Sequence, residues 1–289
     1  MAVNTSSICD KIPVLYQNRH CNQKDISTYA CRKSTNYCYH FDKLFEFKGL
    51  KSESYKEISF LEPTKEFKLA VIDPEVFLVG GCDLSHRGYL RHIKIYSKKT
   101  KKWRISAEWQ KSLFGFCVTS FRRKLFVISG YDFDPGYTNA CLNYDLQEDK
   151  WSYVASMNVK RFAAACTVFE GKIVVSGGIC DYKRLKSVEA YDHHENKWSC
   201  YSDMLETRCD HSLVSMGNKM FVVSDNLSQM CEILDSVSRK FTSIKPLTFY
   251  KNGRFHKYPE QDAYCVGNNV AVFSTLENSF VVYDLEKCV

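Results

Sequence analysis

Short apolar runs that close on a small residue recur along this 289-residue chain. VFLVGG ends at Gly81, LFVISG at Gly130, IVVSGG at Gly178 and FVVSD at Asp225, with a weaker VAVFS ending at Ser274. The end points lie 49, 48, 47 and 49 residues apart. Each run is followed by a pair of large residues at constant spacing: Tyr96 with Trp103, Tyr144 with Trp151, Tyr191 with Trp198, and the eroded Leu234 with Phe241. Tyr283 begins one more copy. Self-similarity at a fixed period of this size marks a repeat architecture. Inside the unit that ends near Trp198 the pattern predicts four short strands, Phe162–Phe169, Lys172–Gly178, Lys186–Tyr191 and Lys197–Tyr201, with EGK and DHHENK as hairpin turns. No stretch holds a 3.6-residue apolar period long enough for a helix.

Four antiparallel strands repeated about every 48 residues are the blade of a β-propeller, in which many small sheets share one extended core. The expected fold is therefore all-β, a β-propeller of four-stranded blades. Gly80, Gly81, Gly130, Gly177 and Gly178 follow the most apolar strand, where a positive φ lets the chain turn without a colliding Cβ. The Tyr and Trp of each pair sit on neighbouring outer strands and supply rigid area for packing blade on blade. They are scaffold, not site.

The di-glycine, the spaced Tyr and Trp, and the period together resemble the kelch repeat. GKIVVSGGICDYKRLKSVEAYDHHENKW carries every feature, and MNVKR and MLETR fill the slot after Trp where that family tends to place Met and Arg. The resemblance is clear over residues 67–245 and weaker to 285. Before it, YKEISFL suits an outermost strand, KLFEFKG the strand before it, and DISTYAC a worn inner strand. Residues 1–66 are thus expected to form a degenerate first blade and a ring-closing N-terminal segment, and residues 67–289 the repeats marked by Gly80-Gly81, Gly130, Gly177-Gly178, Asp225 and Ser274. Six blades account for the length; a five-bladed ring with an N-terminal extension is the alternative.

Composition narrows the function. Hydrophobic residues at 45% and charged residues at 25% are ordinary globular values. The net charge of +7 falls in no basic stripe or nucleic-acid-binding motif. No apolar run follows Met1 and none is long enough to span a bilayer, so neither nucleic acid nor membrane is an expected partner. The fourteen cysteines form no CxxC pair, and Cys117, Cys166 and Cys265 fall in apolar strand-like runs. Free thiols in a reducing, cytoplasmic setting are expected. His193-His194-Glu195 is the one metal-like cluster, but it occupies a hairpin turn whose histidines diverge, with no third ligand at fixed spacing. A solvated turn is expected, and no metal or cofactor. No phosphate-cradling loop or nucleophile elbow appears either. The chain does not read as an enzyme.

Binding is expected at one rim, where loops after the Gly doublet and loops after the Trp strand gather from every blade. Arg87, Lys183, Arg184, Arg254 and Lys257 with Tyr89, Tyr137, Tyr182, Tyr250 and Phe255 make the candidate surface. Arg and aromatic side chains dominate protein-recognition hot spots. The loop Pro246–Asp262 is about six residues longer than its counterparts and concentrates both types. Arg161 and Arg208 are set aside, since their slot serves blade packing in the family. The implied partner is a protein with an acidic segment or surface. The resemblance implies a substrate-recognition module related to the cullin-3 ubiquitin-ligase adaptors, or alternatively an actin-binding cytoskeletal protein. About sixty residues before the first clear repeat are too few for the BTB and BACK regions of those adaptors. A complete chain of this kind would be a lone propeller, a competitor or a fragment.

Overall fold

The computed structural model describes residues 36–40, 43–47, 55–59, 64–65, 67–83, 89–109, 112–132, 136–223, 231–244, 250–251, 254–255, 261–266, 269–274 and 279–284, with side chains placed in 67–81, 89–109, 112–132, 136–223 and 231–244. Among these residues every regular element is a strand. Six larger antiparallel sheets follow one another in chain order: a three-stranded one over 36–59, four-stranded ones over 68–105, 117–154, 165–200 and 212–244, and a three-stranded one over 261–284. They are called here the first to the sixth sheet. In the four-stranded sheets, spatial order follows chain order from an innermost to an outermost strand. In the first sheet Tyr55–Ser59 lies at one edge, beside Lys43–Phe47. The DISTYAC segment lies outside the described residues.

Burial explains the sequence pattern. The second strand of each four-stranded sheet, such as Lys124–Ile128 or Lys172–Ser176, is buried at four successive positions. Such a run cannot come from a strand with one wet face; both faces must be covered. Leu125 and Val127 join one apolar cluster with Phe77, Val79 and Ile95 of the second sheet, whereas Phe126 and Ile128 join another with Ile173, Val175 and Trp198 of the fourth. Val174, on the other face of its strand, packs with Leu213, Met220 and Val222 of the fifth sheet. The core is therefore spread between successive sheets, as radial repetition requires. The outermost strands are mostly exposed and turn their Trp inward.

The same latch recurs at two of the turns that precede a Trp strand. Asp149 and Asn196 adopt φ of +49° and +47°. Trp151 Nε1 donates to the Ala107 carbonyl at 2.9 Å, and the Ala107 amide donates to Asp149 at 3.3 Å. One repeat later Trp198 Nε1 donates to the Ala155 carbonyl at 2.8 Å, and the Ala155 amide to Asn196 at 3.0 Å. Tyr144 donates its hydroxyl to Asp149, and Tyr191 to Asn196 at 2.8 Å. Ala107 and Ala155 belong to the preceding sheet's exit, so the Tyr144–Trp151 and Tyr191–Trp198 pairs each clamp one sheet to the one before it.

The glycine doublets are needed where backbones cross. Gly177 and Gly178 have φ of +60° and +95°. A Cβ on Gly177 would sit 2.5 Å from the Arg208 carbonyl oxygen, and one on Gly178 2.9 Å from that of Phe162. In the third sheet Ser129 takes the first position with φ +64°, so the LFVISG sequence keeps the geometry with one glycine. Strand ends are shorter than the pattern predicts. The first runs Ala165–Phe169 rather than from Phe162, because Ala163 turns at φ +55°, and the second stops at Ser176, before the glycines turn.

Candidate functional site

Loops of both expected classes meet on one side of the sheets, and hydrogen bonds hold them together. The segment Leu113–Phe114, which enters the third sheet, pairs with Tyr131–Asp132, which follows that sheet's Gly130; Tyr131–Asp132 pairs in turn with Gly136–Tyr137. In the fourth sheet Phe162 bridges Ile179 in the same way, with mutual backbone bonds of 2.9 and 2.7 Å. The hairpin Ile179–Cys180 to Lys183–Arg184 stands on this bridge.

A chain of aromatic rings runs across these loops. Tyr89, after the second sheet's glycines, stacks on Phe114 at 4.9 Å between ring centroids and 15° between planes. Phe114 meets Tyr131 at 5.2 Å and the edge of Phe162 at 5.4 Å. Tyr131 meets Tyr137 edge-on at 5.2 Å, and Tyr137 lies 6.5 Å from Phe162 and 6.2 Å from Tyr182. Edge-to-face and offset pairs at these distances are mutually favourable. The first five rings are half-buried, whereas Tyr182 is 93% exposed.

Of the residues expected at the rim, Tyr89, Tyr137 and Tyr182 thus come together. Lys183 is exposed beside Tyr182. Arg184, its neighbour, turns the other way and directs Nε and a terminal nitrogen to the Cys209 sulfur at 3.2 and 3.1 Å. Successive residues of a strand face opposite sides, which separates the two cations. Tyr250 and Arg254–Phe255 fall on a short hairpin, where Tyr250 pairs with Phe255 and Lys251 with Arg254; their side chains, like Arg87 and Lys257, lie outside the described residues. Phe114, Tyr131 and Phe162 were not among the candidate residues, although the loops that carry them were expected at this rim. A signal existed: Phe114 and Phe162 occupy the same place in successive repeats, each right after the slot filled by Leu113 or Arg161.

Arg161 and Arg208 lie beneath this rim, wholly buried. Arg161 donates to the Gly177 carbonyl at 2.7 Å, to the Ser187 carbonyl and hydroxyl at 2.9 Å each, and to Glu189 at 3.0 Å. Glu189 also accepts from the Asn158 and Val159 amides at 2.7 and 3.1 Å. Arg208 pairs with Glu232 at 2.9 Å in the same manner. These arginines hold crossing chains together and have no face toward a partner.

The histidine turn is mostly solvated, with His194 and Glu195 exposed and His193 half-buried. His194 shares a 2.8 Å hydrogen bond with Arg122 of the preceding sheet, and the His193 ring lies edge-on to Phe121 at 6.1 Å. His193 thus packs against the neighbouring sheet while His194 stays at the surface. Among the described residues no group of three or more His, Cys, Asp or Glu is arranged to hold a metal ion.

The model of the KLHDC2/KLHL20/DRC7 Kelch-repeats domain matches residues 66–274. Kelch-like protein 40 of Xenopus tropicalis is 28% identical over 162 residues, covering 54% of this chain and 26% of that protein. Kelch-like protein 41a of Danio rerio is 27% identical over 178 residues, covering 62% and 30%. Human kelch-like protein 23 is 25% identical over 152 residues, covering 51% and 26%. The matches span less than a third of the length of these relatives. The solved structure of YjhT shares the fold, with a TM-score of 0.63 at 15% identity over 74% of this chain and 73% of that one.

Proposed function

Because this chain belongs to the KLHDC2/KLHL20/DRC7 Kelch-repeats domain family, we propose that it is a non-enzymatic propeller whose aromatic rim captures an acidic segment of a partner protein, as a substrate-recognition module related to the cullin-3 ubiquitin-ligase adaptors. The observation that carries the reading is the run of six rings from Tyr89 to Tyr182, built by loops of three successive sheets and ending in an exposed Tyr with Lys183 beside it. Aromatic rings bring large area at little entropic cost, and a few such residues carry most of the energy of a protein interface. The kelch-like names of the relatives favour the adaptor class. Cytoplasmic residence follows from the same reading, since thiols such as Cys117, Cys141 and Cys200 are free and would stay so in a reducing compartment.

The test is quantitative affinity capture from cell extract with wild type, a rim variant (Tyr137→Ala with Lys183→Glu) and a variant on the opposite turns (Lys101→Glu). Mass spectrometry should find the captured proteins, ubiquitin-ligase components or their substrates among them, depleted at least roughly tenfold by the rim variant and retained by Lys101→Glu. An identical bound set for all three proteins would overturn the rim as the site. Co-sedimentation with filamentous actin that the rim variant abolishes would instead assign the protein to the cytoskeleton.

A further inference from the structure

Tyr182 is held in a conformation that its residue type disfavours. Cys180 pairs with Lys183 and Ile179 with Arg184, leaving Asp181 and Tyr182 as the two central residues of a tight hairpin. Their φ values, +47° and +63°, are the mark of a type I′ turn. Asp suits the first position of that turn, and Gly is preferred at the second. Of the hairpins with the same backbone signs, the one between Phe169 and Lys172 holds Gly171 there and the one between Phe121 and Lys124 holds Arg123, a long flexible chain rather than a ring. A tyrosine Cβ in this region crowds the following carbonyl, a strain that Gly would not incur.

The ring returns little of that strain within the molecule. It meets the edge of Tyr137 at 6.2 Å and 89°, and is otherwise in solvent, 93% exposed. Tyr137 is itself held by Tyr131 and Phe162, so Tyr182 is the free outer end of the ring chain. Strain together with an exposed aromatic ring, both kept at a loop tip, points to a contact made outside the chain.

The surrounding charges state what kind of contact. Arg184 is engaged with Cys209, which leaves exposed Lys183 as the cation that neighbours the ring on its hairpin. Building on the rim as the binding surface, we propose that Tyr182 is the recognition anchor for an extended peptide segment that carries a carboxylate next to a proline or aromatic residue. The proline or ring packs against Tyr182 and Tyr137, and the carboxylate meets Lys183.

Tyr182→Gly separates a recognition role from a structural one, because it removes the ring and relieves the turn together. Its thermal midpoint should equal or exceed that of wild type. A phage-displayed library of random peptides, selected on wild type, should yield peptides that share the acidic and proline or aromatic pair. Synthesised and titrated by fluorescence anisotropy, these peptides should lose at least roughly tenfold in affinity for Tyr182→Gly and keep it for Tyr182→Phe. A lowered midpoint for Tyr182→Gly would make Tyr182 a structural residue and overturn the proposal. Peptides that bind Tyr182→Gly as well as wild type but fail on Tyr137→Ala would leave the rim standing and remove Tyr182 as its anchor. A library that enriches nothing, or peptides indifferent to both substitutions, would overturn the rim itself.

Discussion

Lys183 and Arg184 are adjacent and chemically alike, yet one faces solvent and the other a buried thiol. At the residue scale, surroundings decide what a side chain does. Tyr144 shows this for stability. Its hydroxyl is pushed up to about 12, first by burial and then by the bond it gives to Asp149, with Arg104 pulling the other way. The same bond is the first cause that holds the Asp149 carboxyl below its ordinary value. A tyrosine whose folded pKa is raised stays neutral where the unfolded chain already ionises, near pH 10. Its contribution is whole below about pH 10 and is lost as pH rises toward 12. Denaturant titrations over that interval should show stability falling, and Tyr144→Phe should flatten part of the fall. An unchanged slope would mean that the clamp does not depend on this hydroxyl. The Tyr and Trp positions announce themselves as scaffold in the sequence. Their acceptors, the Ala107 and Ala155 carbonyls, do not, because any residue supplies a carbonyl.

At the scale of the element, the buried Arg161–Glu189 and Arg208–Glu232 pairs have a counterpart in the third sheet, where Leu113 and Leu142 occupy the matching positions. Both leucines are buried in one apolar cluster with Tyr144 and Ile95. The fold thus accepts either a complete ion pair or a complete apolar pair at this crossing, in line with the near-balance between desolvation and attraction for buried ions. Arg161→Leu alone should cost about 3–5 kcal/mol, since it strands the Glu189 charge. Adding Glu189→Leu should recover more than half of that loss in urea titrations. A double variant no more stable than the single one would show that the bonds to Gly177, Ser187, Asn158 and Val159 outweigh the charge pairing. The MNVKR and MLETR segments were legible as packing elements, but the acidic partners, distant in sequence on another strand, were not.

For the whole molecule, the distributed core makes every sheet a wall for its neighbours. The second sheet, with Phe77, Val79 and Ile95 turned toward the third, has an opposite flank that includes Val76 and Tyr96. The first sheet, Asn36 to Ser59, precedes it in the chain. Ring closure by residues 1–66 is a proposal that truncation can test, because an opened ring leaves an apolar flank and unpaired strand edges in water. Deleting residues 1–60 should lower the thermal midpoint and broaden the unfolding transition seen by circular dichroism. An unchanged, equally sharp transition would make that segment an appendage.

The all-β class, the blade period, the glycine turns and the Tyr–Trp scaffold were all present in the sequence, since each follows from local chemistry repeated at a constant interval. Continuous apolar runs such as VFLV and LFVI already require a strand covered on both faces. Three features came only from tertiary structure: the joining of Tyr89, Phe114, Tyr131, Tyr137, Phe162 and Tyr182 into one chain of rings, the inward turn of Arg184, and the packing of His193 against Phe121. These contacts link residues on different sheets, and no local pattern of the chain encodes the angle at which one sheet meets the next.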